Sequence, residues 1–276
     1  MKKLRNIALV ILVLFISLLF IGNRYVNDAS IPTQELAVIG DRVLFVFAHP
    51  DDKILVAGTL AKLNAKNIDT GIVYLTRREA GPTGGLVPKE NLGEERTKEV
   101  NSIKAILGID YLKVFDFPDS GIPGVHPERI KQSLLESVNE FKPTIAVGFD
   151  ETVGAYGHED HRLAGLYLHQ LLDDSNIQSI KSYYMVTLPE PMIKLALKIS
   201  KIFQEHYPKD PAKGLPEANI AVNMWKYGSY KRKVLEAHKT QWKIIEDVQP
   251  YGLKIHPYLY YRIFDREYYH KVALNN

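Results

Sequence analysis

The sequence predicts an α/β protein with a mostly parallel, doubly wound sheet behind an N-terminal hydrophobic helix. Short, unbroken apolar runs rich in β-branched residues recur along the chain from residue 43 onward. Amphipathic stretches with helical periodicity separate those runs, and a long uncharged segment lies near the N-terminus. Apolar strands that alternate with helices are typical of a parallel sheet covered by helices on both faces.

The N-terminal segment has the composition of a membrane-directed sequence. Lys2, Lys3 and Arg5 precede a largely apolar, uncharged run over residues 7–22. A run of this length lies between a long signal-peptide core and a short membrane-spanning helix. No Ala-x-Ala-like cleavage site follows directly after Gly22, which favours an uncleaved anchor over a cleaved signal peptide. The basic flank favours a cytoplasmic N-terminus and an extracytoplasmic position for the rest of the chain.

These features divide the chain into three parts. We predict a signal-anchor or transmembrane segment over residues 1–23, a linker over 24–40 and one α/β domain over 41–276. The length of 276 residues suits one such domain with a tail. We expect a single-pass protein of the cytoplasmic membrane with its domain outside, or a secreted protein if the segment is cleaved.

The composition excludes several classes of function. The net charge is +3, from 35 Lys and Arg against 32 Asp and Glu, and three of the cations lie at the N-terminus. The rest of the chain is therefore neutral, which argues against a dedicated nucleic-acid binder. Because the chain has no cysteine, disulfides, cysteine-ligated metals and cysteine nucleophiles are excluded.

The individual elements follow from the same pattern. Five apolar runs predict strands at residues 43–48, 71–76, 112–115, 144–149 and 180–187, and four amphipathic stretches predict helices at residues 54–67, 94–107, 127–141 and 161–172. Right-handed crossovers favour the strand order 3-2-1-4-5. Further helices are predicted at residues 192–205 and 230–245, and we expect the tyrosine-rich tail over residues 250–270 to pack as edge strands.

The strongest chemical signal is Ala-His-Pro-Asp-Asp at residues 48–52, at the end of the first predicted strand. In open parallel sheets, ligands bind beyond the carboxyl ends of the strands. Two adjacent carboxylates raise each other's pKa unless a cation lies near them, and histidine with a carboxylate suits zinc. An alternative stays open, in which Asp51 or Asp52 caps the next helix and His49 is a surface residue.

A second cluster, Tyr-Gly-His-Glu-Asp-His at residues 156–161, follows the fourth predicted strand. His158 and His161 are three residues apart and share one helical face if a helix begins there. Taken alone, this spacing is a weak signal, because surface histidines are common. In the predicted order, however, the first and fourth strands are neighbours, so both clusters would meet over one crevice. Together they predict a metal site.

These two clusters resemble the motifs of the PIG-L/LmbE-like de-N-acetylases. That family includes the N-acetylglucosaminyl-phosphatidylinositol deacetylase and bacterial deacetylases of thiol-cofactor and glycan pathways. Residues 75–85 are similar to its second strand and glycine loop, residues 93–108 to its Arg-x-x-Glu helix, and residues 237–241 to its late His-x-Ser/Thr-Gln motif. The resemblance covers residues 42–241 and implies a Rossmann-like sheet.

The resemblance also implies a role for each matching residue. One Zn²⁺ per chain would be bound by His49, Asp52 and His161. Asp51 would be the general base, Tyr156 and His158 would polarise the substrate carbonyl or act as acids, Asp160 would orient a histidine, and Arg96 and His238 would lie near the substrate. Our candidate acid for the departing amine is His158, held by Asp160. Lys53 and Glu159 depart from the family pattern without replacing a ligand, and we expect Lys53 at the rim of the site.

We therefore expect a zinc-dependent hydrolase that removes the N-acetyl group from an N-acetylglucosamine-type conjugate, which is lipid-linked or part of a cell-surface glycan. One alternative is a metal-dependent amidase that acts on another small amide. A second is a non-catalytic, glycan-binding surface protein, although such a protein would be expected to have lost the base or a ligand. The metal is also open, since sites with two histidines and an aspartate accept iron or cobalt.

Overall fold

The computed structural model describes residues 2–174, 177 and 179–274. Within these residues, seven strands form one sheet: β1 (Arg42–Phe47), β2 (Asp69–Tyr74), β3 (Tyr111–Val114), β4 (Ile145–Phe149), β5 (Ser182–Thr187), β6 (Ile220–Asn223) and β7 (Arg266–Val272). The α-helices are α1 (Lys2–Val26), α2 (Ala57–Asn64), α3 (Leu92–Leu107), α4 (Pro127–Phe141), α5 (Gly154–Gly157), α6 (Glu159–Asp174), α7 (Glu190–Ile199), α8 (Lys201–His206), α9 (Gly228–Ala237), α10 (Trp242–Val248) and α11 (Pro257–Ile263).

The strand order is β3-β2-β1-β4-β5-β7-β6. The strands from β1 to β5 pair in parallel, which confirms the predicted fold class and the predicted order of these five strands. Each of the five lies within two residues of its predicted position. The last two strands are different, because β7 pairs antiparallel with both β5 and β6.

Two apolar cores lie on opposite faces of the sheet. Alternate side chains of β1 belong to different cores. Phe45 packs in the core that includes α2, α3 and α9, whereas Leu44 packs in the core that includes α4 and α6. Both side chains are fully buried. Burial on both faces explains why the sequence of β1 is an unbroken apolar run rather than an alternating one.

Helix α1 extends from the domain and is anchored at its C-terminal end. The side-chain amide of Asn23 donates to the carbonyl of Ile263 at 3.0 Å, and that of Asn27 donates to the same carbonyl at 2.9 Å. The following segment also packs on the domain, since Leu36 and Ala37 are buried in its core. Residues 24–40, predicted as a linker, thus contain the last turn of α1 and a segment that packs on the domain.

The largest differences from the predicted elements come after β5. The helix expected over residues 192–205 is two helices, because Ser200 adopts an extended backbone and its hydroxyl accepts from the N–H of Phe203, which caps α8. The helix expected over residues 230–245 is likewise interrupted after Ala237.

The tail differs from its prediction as well. It forms α11 and then β7, which lies inside the sheet, and the edge strand is β6 instead. The expectation of edge strands for the tail was therefore wrong. The carboxylate of Glu267 on β7 accepts from the N–H groups of Gly58 and Thr59 at the start of α2, which ties the tail to the domain.

Candidate metal centre

The ends of β1 and β4 bring the two predicted clusters together. These strands are parallel neighbours in the sheet, so their carboxyl ends lie at one edge. His49, Asp51 and Asp52 follow β1, whereas His158 and His161 follow β4. The five side chains converge there, and His49, Asp51, Asp52 and His161 are buried. The capping alternative is not what the structure shows, because Asp51 makes no side-chain cap and His49 is fully buried.

Donor atoms of three side chains lie close together. Nδ1 of His49 lies 2.9 Å from Nε2 of His161, and that nitrogen lies 3.0 Å from Oδ1 of Asp52. Nδ1 of His49 lies 3.8 Å from Oδ2 of Asp52. Donors about 2.1 Å from one tetrahedral zinc lie about 3.4 Å apart. The three side chains therefore fit a single divalent ion.

The outer nitrogen of each imidazole has a partner that fixes the ring. Nε2 of His49 lies 3.1 Å from Oδ1 of Asp119 and 3.2 Å from Oδ2 of Asp160. Nδ1 of His161 lies 3.2 Å from the carbonyl oxygen of Gly154. Each outer nitrogen therefore holds a proton, so the inner nitrogen of each ring is the one that would bind a metal ion.

A tight turn after β4 places the Gly154 carbonyl. The carboxylate of Asp150 accepts from the backbone N–H groups of Val153, Gly154 and Ala155. Gly154 has φ +64°, and a Cβ there would lie 2.3 Å from the backbone nitrogen of Arg162. Only glycine fits this position, and Ala155 follows with φ 69° and ψ −70°, a conformation of high energy for a residue with a Cβ.

The surroundings of His49 stabilise positive charge. Burial and the nearby Arg78 guanidinium oppose protonation of His49. Hydrogen bonds to Asp119, Asp160 and Asp52 outweigh both and raise the pKa of His49 to about 10. A divalent cation held between the inner nitrogens and Asp52 supplies positive charge at the same place, so the electrostatics agree with the donor geometry.

Asp51 lies beside this cluster as an ionised carboxylate. Burial opposes its ionisation, but the Arg78 guanidinium together with His49 and His238 outweighs burial, and the pKa of Asp51 is lowered. Nε of Arg78 lies 3.9 Å from Oδ1 of Asp51. That Oδ1 is buried without a hydrogen-bond partner among the described residues, so it is an acceptor that is open to a proton.

His158 and Tyr156 line the other side of the cluster. The ring of His158 is stacked on that of His161, with centroids 4.7 Å apart, and the ring of Tyr156 lies 5.1 Å from that of His161. Burial, helped by the neighbouring His161, lowers the pKa of His158 to about 3. Burial also raises the pKa of Tyr156. Both groups are therefore neutral near pH 7.

The structure corrects the expected partner of Asp160. Its carboxylate contacts Nε2 of His49 and accepts from the N–H of Ser120 at 2.7 Å, whereas only its backbone N–H faces Nδ1 of His158. Asp160 thus orients His49 rather than His158. With the low pKa of His158, this removes the support for His158 as the acid that protonates the amine.

The two residues expected to lie near the substrate are both buried. Arg96 is fully buried and donates to the carbonyls of Arg78 and Pro82, so it supports the loop after β2. His238 is 1% exposed, and its Nδ1 lies 3.7 Å from a Glu99 carboxylate oxygen. The long arginine reaches under the loop and the late motif packs against α3, so a place near the substrate stays a prediction for both.

Lys53 is not at the rim of the site either. It is fully buried, donates to the carbonyl of Pro50, and its Nζ lies 5.1 Å from the centroid of the Tyr74 ring. Burial lowers the pKa of Lys53 to about 7, although Asp51 and other nearby carboxylates act in the opposite direction.

Two residues of the centre were not singled out from the sequence. The guanidinium of Arg78 is buried, with Nη1 3.3 Å from Oδ1 of Asp119 and 3.4 Å from Nε2 of His158. Asp119 lies on the loop after β3 and touches both His49 and Arg78. Their position in the chain could have indicated them. Both residues follow the carboxyl ends of parallel strands, as the two predicted clusters do.

Comparisons with known proteins identify deacetylases that are similar to this chain. Residues 44–172 match the family model described as PIG-L, GlcNAc-PI de-N-acetylase. The chain is similar to the 1D-myo-inositol 2-acetamido-2-deoxy-alpha-D-glucopyranoside deacetylase of Mycolicibacterium vanbaalenii, with 28% identity over 243 residues, 77% of this chain and 84% of that protein. It is 26% identical to the diacetylchitobiose deacetylase of Thermococcus kodakarensis over 193 residues, 61% of this chain and 71% of that protein.

A solved structure shows the same fold. It is the N,N'-diacetylchitobiose deacetylase of Pyrococcus horikoshii, with a TM-score of 0.62 over 84% of both chains and 18% sequence identity. At that identity the likeness establishes the architecture alone. The residues of the centre described above then carry the chemical interpretation.

Proposed function

Because the chain belongs to the PIG-L family and is an enzyme of the hydrolase class, we propose that it removes the N-acetyl group from an N-acetylglucosamine-type sugar conjugate. The relatives named above act on N-acetylated amino sugars, which supports the choice of substrate class. The single observation that carries the proposal is the convergence of His49, Asp52 and His161, with an ionised, open Asp51 beside them.

We assign the metal site to His49, Asp52 and His161, and we propose zinc as the metal. When bound there, a divalent ion would polarise the acetamide carbonyl and lower the pKa of a coordinated water. Asp119 and Asp160 hold the His49 ring, and the Gly154 carbonyl holds the His161 ring, so both imidazoles are oriented before the ion binds.

Asp51 is the proposed general base. Arg78 keeps its carboxylate ionised, and its open Oδ1 can take the proton from the attacking water. The protonated Asp51 is then the group placed to return that proton to the departing amine. This assignment replaces the expectation that His158 is the acid, since a pKa of about 3 leaves almost none of the imidazolium near pH 7.

His158 and Tyr156 are proposed to stabilise the negative charge that develops on the carbonyl oxygen. Both are neutral near pH 7 and lie beside the ring of His161. A well-placed donor to such an oxyanion contributes about 3 to 4 kcal/mol in other hydrolases. The guanidinium of Arg78 contacts Asp119 and His158 on this side of the centre.

We further propose that α1 anchors the enzyme in the cytoplasmic membrane with the domain outside. Among the described residues, one helix, Lys2–Val26, is long and apolar enough to span a bilayer, and its most apolar stretch is not buried in the domain. A signal sequence has the same composition. The cations at its start support the orientation.

The direct test is release of acetate from a simple N-acetylglucosamine glycoside by the purified, metal-loaded protein. We expect acetate and free amine in equal amounts, and no turnover by the His161→Ala variant. A panel of other small amides would distinguish an amidase of different specificity. Turnover of those amides without turnover of the acetamido sugar would overturn the proposal.

A further inference from the structure

A cavity of about 400 Å³ lies between the end of α1 and the candidate metal centre. Its size is that of a small-molecule pocket, which typically spans about 300 to 1,000 Å³. Its wall is mainly apolar and is contributed by α1, α7, α8, α11 and the segment before α9: Leu19, Leu195, Phe203, Met224, Leu259 and Ile263. The chemistry of such a wall suits a hydrocarbon rather than a sugar.

One end of the cavity lies at the proposed membrane surface. Leu19, which lines it, is about two turns before the end of α1, and α1 contacts both α7 and α11 around it. The side chains of α1 before this point are apolar and exposed, for example Phe15 and Ile16. A membrane in which α1 is inserted would therefore bring lipid to this end of the cavity.

The other end reaches Tyr156, which lies beside the metal centre. Ala155 and Tyr156 line the cavity, and the Tyr156 ring lies 5.1 Å from the ring of His161. Leu55, three residues after Asp52, lines it too. The cavity therefore runs from the membrane-facing helix to Tyr156, one of the two side chains proposed to stabilise the charge on the carbonyl oxygen.

The charged side chains in the wall already have partners. Nζ of Lys231 lies 2.7 Å from Oε1 of Glu267, whose two oxygens also accept from backbone N–H groups of α2. Nε of Arg266 lies 3.5 Å from Oδ1 of Asp265. These charges are paired within the protein. An uncharged chain can therefore fill the cavity while each charge keeps its partner.

The surface next to the cavity is also apolar. Leu197 and Ile199 of α7 are 39% and 48% exposed, and Tyr258 of α11 is 55% exposed. Exposed apolar and tyrosine side chains beside a spanning helix are typical of a surface that rests on the headgroup layer.

We propose that this cavity binds the hydrocarbon chain of an amphiphilic substrate, so that the amino sugar is presented to the metal centre on a lipid that enters beside α1. This inference rests on the proposed function, because it identifies the carrier of the sugar that the centre deacetylates. It selects the lipid-linked conjugate over the cell-surface glycan, since a polysaccharide has no hydrocarbon chain to place between α1 and Tyr156.

The test uses full-length, metal-loaded protein in detergent micelles and alkyl glycosides of N-acetylglucosamine with methyl, octyl and dodecyl chains. We expect kcat/KM for acetate release to rise by at least about tenfold from methyl to dodecyl, because each buried methylene favours binding by up to about fourfold. Ala196→Phe narrows the cavity and should abolish most of this gain while leaving the rate on the methyl glycoside within about twofold.

The matched control is Leu197→Phe, an exposed neighbour on α7 that does not line the cavity and should keep the full chain-length gain. If Ala196→Phe lowers the melting temperature strongly, Leu259→Phe on α11 replaces it. No acetate from any glycoside would refute the proposed function itself. Acetate from all three at equal kcat/KM, or an unchanged gain in a folded cavity variant, would overturn the lipid proposal alone.

Discussion

Oδ1 of Asp119 lies 3.1 Å from Nε2 of His49, on the side of the imidazole that faces away from His161. This contact keeps a proton on Nε2, so Nδ1 is the nitrogen that can act as a metal ligand. Asp119 also lies 3.3 Å from Nη1 of Arg78, the residue that keeps Asp51 ionised. One loop carboxylate thus supports both the proposed metal site and the proposed base.

Replacing Asp119 should weaken metal binding without removing a ligand. Asp119→Asn keeps the shape of the side chain but loses the charge that orients His49. We expect metal affinity to fall by about 10- to 100-fold, as for other partners of metal-binding histidines. Competition with a chromophoric chelator measures this affinity. An unchanged dissociation constant in a folded variant would show that Asp119 does not support the site.

Asp51 should be needed for turnover and not for metal binding. In Asp51→Asn the site has no carboxylate to accept the proton, so kcat should fall by at least about 100-fold while the bound metal stays at one equivalent. Asp52→Asn is the matched control, with the same change one residue away, and should lose metal as well as activity. Near-normal turnover by Asp51→Asn would exclude it as the base.

Lys53 should destabilise the folded protein in a pH-dependent way. Its pKa is about 7 in the folded protein, lowered mainly by burial, against an ordinary lysine value of 10.5. Between these values the unfolded chain binds more protons than the folded protein, so the free energy of unfolding should rise with pH across this window. The destabilisation by the buried charge is complete below pH 7.

Lys53→Met removes the buried charge and keeps the length of the side chain. At about pH 6.5 we expect it to raise the free energy of unfolding by up to about 3 kcal/mol, with a melting temperature several degrees higher. The difference should shrink toward pH 10. Thermal melts across this range measure it, and a constant difference at every pH would contradict the assigned burial of the charge.

Helix α1 should determine membrane association. Leu12→Arg places a charge near the middle of the helix, where insertion scales assign arginine a cost of about 2.5 to 3.5 kcal/mol. We expect a clear shift of the protein from the alkaline-washed membrane fraction to the supernatant, whereas Leu12→Ala should stay in the membrane. Wild-type protein found in the supernatant would contradict the anchor.

The sequence predicted the central sheet because local and global signals agree there. Residues such as Phe45 and Leu44 are buried on opposite faces, so the strand reads as one apolar run. The structure of the tail was harder to predict. Strand β7 carries the buried Glu267, whose partners on α2 are about 200 positions away in the chain. A pattern of neighbouring residues contains no information about such a contact.

The same reason explains which site residues could be found. His49 and Asp52 stand in one short motif, and the strand order brings His161 to them. Arg78 and Asp119 lie on loops with no diagnostic spacing, and only the folded chain brings them to His49. Burial of Lys53 and Arg96 was missed because long charged side chains are usually exposed.

The most direct test of the central claim is a metal titration of the chelator-treated, full-length protein, with zinc content and acetate release measured at each addition. We predict that activity returns linearly and reaches its maximum at one equivalent of zinc, and that His49→Ala, Asp52→Ala and His161→Ala each abolish both binding and activity. Full activity in protein shown to contain no metal, or stoichiometric binding that survives all three substitutions, would contradict the account.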